Sequence, residues 1–227
     1  MGTNFGHMYL EKPAMISQLP DTLLGKTVLC VGVGSGEELA EILKRDPKKV
    51  VAIDISKNLL AIARSLFPEV ELHKMDMMNL KFPDSTFDLV YSSLAFHYSK
   101  DWDVLLAGLH KVLIKGGTLL FSTHNPDYWG TKPFTGKPYI NGRGIKVTEH
   151  QATLSGGVNV TYYNIGSKTM IDDALIHAGF RLRKTFDPIM QNIDLNRFNK
   201  LDISDYEYLK TINAESPLFY VVSSVKI

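Results

Sequence analysis

Residues 27–38 read Thr-Val-Leu-Cys-Val-Gly-Val-Gly-Ser-Gly-Glu-Glu, and this stretch decides the fold. Val28 to Val31 is a short apolar run of the kind that forms a buried parallel strand. Gly32, Gly34 and Gly36 follow at alternate positions, and a helical pattern then opens with Glu37, Glu38, Leu39, Ala40, Ile42 and Leu43. A strand that turns into a helix over glycines brings bare backbone close to a ligand at the helix N-terminus. A second apolar run, Val50 to Ile53, ends in Asp54, eighteen residues after Gly36. A carboxylate at the tip of that neighbouring strand is placed to accept hydrogen bonds from a ribose diol.

Glycine and carboxylate together call for an adenosine-containing cofactor, and the spacing narrows its kind. A dinucleotide site has the pattern G-x-G-x-x-G, whose third glycine falls where this chain has Glu37. Glu37 and Glu38 suit the positive end of a helix dipole but would repel a pyrophosphate placed there. A cofactor with a cationic centre and no phosphate fits better. S-adenosylmethionine, a sulfonium joined to adenosine, meets both conditions. A tight strand-to-helix connection without any ligand would also carry glycines, but it would not require Asp54.

With 227 residues the chain fits one α/β domain, long enough to bury roughly 70% of the surface its unfolded form exposes. The formal net charge is +1 with no dense Lys/Arg block, which argues against a dedicated nucleic-acid or membrane-surface binder. The single cysteine, Cys30, has no partner for a disulfide. The seven histidines show no ligand spacing, so no metal is implied. With no signal peptide and no run of eighteen apolar residues, the expected location is cytoplasmic.

Further signals extend the pattern along the chain. Tyr9, Leu10, Met15, Ile16 and Leu19 predict a helical cap over about residues 1–24, covering one face of the sheet or closing over the cofactor through Tyr9 and Met15. Ser56 is an N-cap for a helix that ends before Pro68, and Val70 to His73 reads as a third strand. Asp76, just past that strand, suits an adenine amino group, with the Met77 N–H and side chain offered to the ring; a turn cap is its plainer role. Leu89 to Ser92 is the fourth strand, Trp102 to Val112 a helix, Lys115-Gly116-Gly117 a helix stop and turn, and Thr118 to Ser122 the fifth strand. Strands and helices that alternate in this way predict a parallel sheet with helices on both faces.

Four segments carry a family resemblance: Val-Leu-Cys-Val-Gly-Val-Gly-Ser-Gly at 28–36; Val-Val-Ala-Ile-Asp at 50–54; Asp76 with Phe82-Pro83-Asp84-Ser85-Thr86-Phe87-Asp88; and Val112-Leu113-Ile114-Lys115-Gly116-Gly117-Thr118-Leu119. Their order resembles the class I S-adenosylmethionine-dependent methyltransferases of the small-molecule, methyltransferase type 11-like group. The resemblance implies a Rossmann-like, doubly wound sheet of seven mostly parallel strands, the last antiparallel, within a single domain spanning residues 1–227. It implies cofactor contacts from Gly32, Val33, Gly34 and Gly36 in the loop and from Asp54 and Ile55 after the second strand. Asp76, Met77, Ser92, Ser93 and Tyr9 complete the expected set, and S-adenosylhomocysteine would be the product. One departure stands out: the family usually has an acidic residue, near the cofactor's methionine portion, where this chain has Cys30.

The second half carries the acceptor. An insertion over about residues 124–166 is expected above the cofactor edge of the sheet, with Lys146 to Leu154 and Val158 to Tyr163 paired across a Gly156-Gly157 turn. Ser167 or Thr169 caps a helix through Ala178, Phe180 to Phe186 is a sixth strand, Asp202 to Thr211 a possible helix, and Phe219 to Val225 the seventh strand. Candidate acceptor residues are Tyr98, His124, Tyr128, Trp129, Tyr162 and Tyr163, with His97 as candidate catalytic residue. His97 suits a general base for an acceptor hydroxyl or amine, or a hydrogen-bonded histidine that shapes the pocket; His124 has the same two readings. The aromatic residues fit an apolar or planar acceptor and are equally good strand formers. The Asn/Asp-Pro-Pro-Tyr run of nucleic-acid amino-methylating enzymes is replaced by Ser92-Ser93-Leu94-Ala95, and no loop cysteine serves cytosine-C5 chemistry. The leading reading is methyl transfer to an O, N or C atom of a small molecule. A non-catalytic S-adenosylmethionine-binding or scaffold protein is the alternative, and a nicotinamide-dependent oxidoreductase is disfavoured by Glu37. Oligomeric state stays open.

Overall fold

Apolar residues that alternate along a strand point to opposite faces of a sheet, and here both faces are apolar, so both must be covered. The computed structural model shows how; it describes residues 6–129, 137–138, 145–153, 156–190, 206–207, 210–211, 213–215 and 217–227. A seven-stranded sheet is built from β1 (Thr27–Val31), β2 (Lys49–Asp54), β3 (Glu71–Lys74), β4 (Phe87–Ser92), β5 (Leu113–His124), β9 (Phe180–Phe186) and β10 (Phe219–Lys226). Its spatial order is β3-β2-β1-β4-β5-β10-β9. The first five strands pair in parallel, and β10 lies antiparallel between β5 and β9, as the resemblance implied.

Leu29, Val31, Val51, Ile53 and Val90 face the layer formed by α4 (Trp102–Val112) and α6 (Lys168–His177), which contribute Leu105, Leu109, Ile171 and Leu175 to that core. Val28, Cys30, Val50, Ala52, Leu89 and Tyr91 face the other side, under α1 (Lys12–Ile16), α2 (Leu39–Leu43) and α3 (Lys57–Leu66). Met15 is fully buried in this second core, so α1 covers the sheet with it and leaves no Met15 surface for a lid. A π-helical turn, His7–Glu11, leads into α1.

Helix starts follow the capping chemistry in the sequence. The Ser56 side chain accepts the Leu59 N–H at the start of α3, Asp101 does the same for Val104 in α4, and Ser167 for Met170 in α6. Gly179, at φ +89°, then turns the chain from α6 into β9.

Two expectations need correction. Lys115-Gly116-Gly117 forms no separate turn: α4 stops at Val112 and β5 begins at once, with the glycines inside the strand where its pairing with β4 shifts register between Phe87 and Leu89. A bulge with Gly116 at φ +77° absorbs the irregularity. Likewise Gly156 and Gly157 are not the hairpin turn; they pair with Thr153 and Ala152 in the first rungs joining β7 (Ile145–Thr153) to β8 (Gly156–Asn164). The connection at 154–155 lies outside the described residues. With β6 (Lys137–Pro138) these strands form a second, three-stranded antiparallel sheet. Much of the expected 202–211 helix also lies outside the described residues, although Tyr206, Glu207, Lys210 and Thr211 are helical.

Candidate active site

In an open parallel sheet a ligand binds beyond the carboxyl ends of the strands where the winding direction reverses. Here that point lies between β1 and β4, the neighbours from which successive connections run in opposite directions. The loop after β1 is drawn tightly onto the sheet. The N–H groups of Gly32 and Val33 both donate to the Ile53 carbonyl, at 2.9 and 3.1 Å. Gly32 sits at φ +68°, and a Cβ built there would lie 2.3 Å from the Ala95 Cβ, so only glycine lets the loop pass the end of β4. Gly34 also needs a left-handed backbone, at φ +56°, yet a Cβ there would meet nothing within 4 Å. Open space over a bare Cα is the place for a ligand to approach closely.

Asp54 faces this space. One carboxylate oxygen accepts the Gly34 N–H at 2.8 Å and the other accepts the Ser56 N–H at 2.8 Å. Two backbone donors fix the carboxylate plane, and each oxygen keeps a second lone pair for a ligand hydroxyl. Ile55, the next residue, is 68% exposed, an unusual position for a large apolar side chain and a flat surface for a planar ring. Asp76, exposed beyond β3, accepts the Met78 N–H at 2.9 Å, which is the turn-capping role; Met77 packs against the core. Val33 is buried, with its N–H on the Ile53 carbonyl of β2 and its carbonyl accepting inside the loop. Gly36 closes the loop with its N–H on the Val33 carbonyl.

Past β4, the Ser92 hydroxyl donates to the Val31 carbonyl at 2.9 Å, locking the two central strand tips together. Leu94 then adopts φ +47°, which costs a non-glycine residue about 1 kcal/mol. The Ser122 hydroxyl accepts the Leu94 N–H at 3.0 Å and itself donates to Glu11. Ser93 also donates to Glu11, at 2.9 Å. Tyr9, half-buried, lies on the same π-helical turn as Glu11. These contacts bring the N-terminal segment into the site.

Glu11 is the residue that sequence reading missed, together with His7; its partner Ser93 was among the expected cofactor contacts. Glu11 has no solvent exposure, and one of its oxygens lies 3.0 Å from the His7 Nδ1. The other ring nitrogen of His7 lies 3.0 Å from Glu38 and 3.4 Å from Glu37. Burial disfavours the charged imidazole, but the bonds to Glu11 and Glu38 and their charges outweigh it and raise the His7 pKa to about 10. The ligand atoms of His7, Glu37 and Glu38 gather within 4.8 Å, a proximity that no sequence spacing announced. An imidazole with a carboxylate at each nitrogen carries both protons, so this is an ion-pair cluster. The only hint was His7 and Glu11 at helical i,i+4 spacing in an apolar stretch. Cys30 lies nearby, and burial, with the Glu38 charge added, pushes its thiol up, leaving it an inert apolar residue.

Among the residues expected to meet the acceptor, the 3₁₀ turn Phe96–Tyr98 follows β4, and His124 ends β5. The His97 and His124 rings stack with centroids 3.8 Å apart and planes 3° from parallel. Burial, and then the neighbouring His124, hold His97 well below the usual imidazole pKa; burial alone pushes His124 down to about 4. Both rings are therefore neutral at pH 7, a state in which each can accept a proton. Tyr98, 48% exposed, lies against His97 with ring centroids 4.3 Å apart. The β8 strand, with half-buried Tyr163, packs against this turn. Tyr162 belongs to β8, and Tyr128 and Trp129 to the short helix α5 (Pro126–Trp129), but their side chains lie outside what the structure describes. The structure thus brings His97, Tyr98 and His124 together. Among the described residues, no helix is long and apolar enough to cross a membrane.

Residues 29–121 match a family model described as a methyltransferase domain. A malonyl-[acyl-carrier protein] O-methyltransferase of Erwinia billingiae is 33% identical over 103 residues, 45% of this chain and 41% of that protein. An uncharacterized protein of Haemophilus influenzae is 36% identical over 130 residues, 52% of this chain and 49% of its own length. The matched segments thus span less than half the length of these curated relatives. A Listeria monocytogenes structure described as an S-adenosylmethionine-dependent methyltransferase superposes with a TM-score of 0.76 at 21% identity, covering 96% of each chain, which shows the shared fold.

Proposed function

We propose, from the premise that this chain carries a class I S-adenosylmethionine-dependent methyltransferase domain, that it moves a methyl group from S-adenosylmethionine to a small-molecule acceptor. The observation that carries the reading is the Asp54 carboxylate, pinned by the Gly34 and Ser56 N–H groups beside the open face of Gly34. That arrangement presents carboxylate lone pairs to a ribose diol and a bare backbone to whatever adjoins it. Ile55 offers an adenine ring an apolar surface, and Asp76 offers its amino group a carboxylate.

When bound, the cofactor supplies a methyl group already activated on a sulfonium, so the protein's part is alignment and exclusion of water. The acceptor would enter from the side of the 3₁₀ turn and β8, towards the tips of β4 and β5. An acceptor hydroxyl or amine that arrives protonated needs a base, and the stacked His97 and His124 are neutral imidazoles at that place. The aromatic surroundings, Tyr98 and Tyr163 with the Tyr162, Tyr128 and Trp129 positions, favour a planar or largely apolar acceptor. The whole of residues 1–227 would act as one domain, with the 124–166 insertion as its acceptor side.

Calorimetric titration with S-adenosylmethionine, S-adenosylhomocysteine and NADH tests the cofactor. Wild type is expected to bind both sulfur ligands and not NADH, and Asp54→Ala to lose about a hundredfold in affinity while remaining folded, two charge-assisted hydrogen bonds being worth roughly 3 kcal/mol. Failure of wild type to bind either sulfur ligand at millimolar concentration would sink the reading.

A further inference from the structure

We propose that Glu11 and Glu38, bridged by His7, form the receptor for the ammonium group at the cofactor's amino-acid end, the place near which the family usually has an acidic residue and this chain has Cys30. The inference rests on the S-adenosylmethionine reading above. It starts from the cost of Glu11. A carboxylate with no solvent exposure is expensive unless its charge is used. Ser93, Ser122 and His7 all turn towards it, and they come from three separate parts of the chain. Glu38 comes from the start of α2, only 13% exposed, and meets the same imidazole.

Part of the cluster lies within electrostatic reach of residue 30. Cys30 and Tyr91 are partners across the β1–β4 ladder, and both belong to the core face that α1 covers. The charge of Glu38 acts on Cys30, and those of Glu11 and Glu38 act on Tyr91. The Tyr91 hydroxyl is buried and has no hydrogen-bond partner among the described residues, so a polar group stands ready where the carboxylates converge. The charge balance points the same way. Glu11, Glu37 and Glu38 face His7, and Lys12, whose Nζ donates to the Glu37 carbonyl at 3.0 Å, is the neighbouring cation. Three carboxylates against two cations leave one negative charge. S-adenosylmethionine, with a sulfonium, an ammonium and a carboxylate, carries one net positive charge. On this assignment the N-terminal segment is part of the cofactor site, and negative charge absent at residue 30 is restored from Glu11 and Glu38.

The test compares three ligands: S-adenosylmethionine, S-adenosylhomocysteine, and 5′-methylthioadenosine, which keeps the adenosine and lacks the amino-acid end. Glu38→Gln and Glu11→Gln should each weaken the first two about tenfold and leave the third within about twofold, the loss expected for one charged hydrogen bond. Adding Cys30→Asp to Glu38→Gln should restore most of the lost affinity. Should Glu11→Gln fail to fold, Glu38→Gln and its Cys30→Asp rescue decide alone. A parallel loss of all three ligands would mean that the cluster only shapes the fold, and unchanged affinities would mean that the carboxylates are not used; either overturns the proposal. Wild type that binds 5′-methylthioadenosine but neither amino-acid ligand overturns it as well. Wild type that binds none of the three brings down the cofactor reading itself.

Discussion

The two sides of the proposed site, one for the cofactor and one for the acceptor, are built by different means. On the cofactor side, strand tips present backbone and short side chains: Gly32, Gly34, Asp54 and Ser92 act within a few residues of a β-strand, and each of their hydrogen bonds has a main-chain group at one end at least. On the acceptor side, His97 and His124 are stacked between two strand tips and β8 comes from a separate sheet. Tight backbone geometry leaves little choice of residue; a pocket made of side chains from distant segments leaves a great deal. The first side is accordingly read from local pattern, and the second only from the assembled fold.

Substitution of the two loop glycines separates shape from binding. Gly32→Ala places a Cβ 2.3 Å from that of Ala95 and strains φ as well, so it should cost about 3–4 kcal/mol by urea denaturation or prevent folding. Ala95→Gly in the same chain should recover part of that loss. Gly34→Ala, in open space, carries only backbone strain of about 1 kcal/mol, yet should abolish cofactor binding. Unchanged S-adenosylmethionine affinity in Gly34→Ala would show that the open face of Gly34 is not a ligand surface.

The same contrast explains what the sequence revealed. The caps Ser56 and Ser167 and the placement of Asp54 follow from runs of ten residues or fewer, where periodicity and cap chemistry act locally, whereas the antiparallel last strand was implied by the family resemblance alone. The Gly116-Gly117 and Gly156-Gly157 pairs misled, because glycine marks a bulge or a first ladder rung as readily as a turn. Glu11 stayed hidden for another reason. Its partners Ser93 and Ser122 lie 82 and 111 residues away, and only tertiary packing brings them together. The His97–His124 stack was legible as two residues at strand ends, but its depressed basicity depends on burial that no local pattern reports.

Titration should make the two sides fail at opposite ends of the pH scale. His124, with a folded pKa of about 4 against about 6.5 unfolded, binds fewer protons when folded, and His97 shifts the same way. Stability from this pair is therefore present above about pH 6.5 and is lost as pH falls towards 4, on the order of 3 kcal/mol from His124 alone. His7 has the opposite sign. Its pKa is raised to about 10, so its contribution is complete below about pH 6.5 and disappears as pH rises through 10. Urea midpoints across pH for wild type, His124→Gln and His7→Gln check both: His124→Gln should flatten the acid limb and His7→Gln the alkaline limb. If His124→Gln left the acid limb unchanged, carboxylates elsewhere would account for it.

The smallest effect probes how the acceptor side is fastened. Lys168 opens α6, and its Nζ lies 2.8 Å from Asp187 after β9 and 3.6 Å from Asp127 in α5; its N–H donates to Asp127 as well. Asn125 links the same groups, donating to Asp187 and accepting the Asp127 N–H. This network joins the end of β5 to α6, so it positions the chain that leads into and out of the second sheet. The side chains are roughly a quarter to a half exposed, and water and salt limit what such pairs contribute. Lys168→Met should therefore lower stability by less than about 1 kcal/mol and leave S-adenosylmethionine affinity within about twofold. Its consequence belongs to the acceptor: once a methyl acceptor is found, KM for it should rise while the cofactor's does not. A loss of cofactor affinity equal to the rise in acceptor KM would show that the two sides are mechanically one, and that the division between local backbone geometry and assembled pocket does not extend to binding.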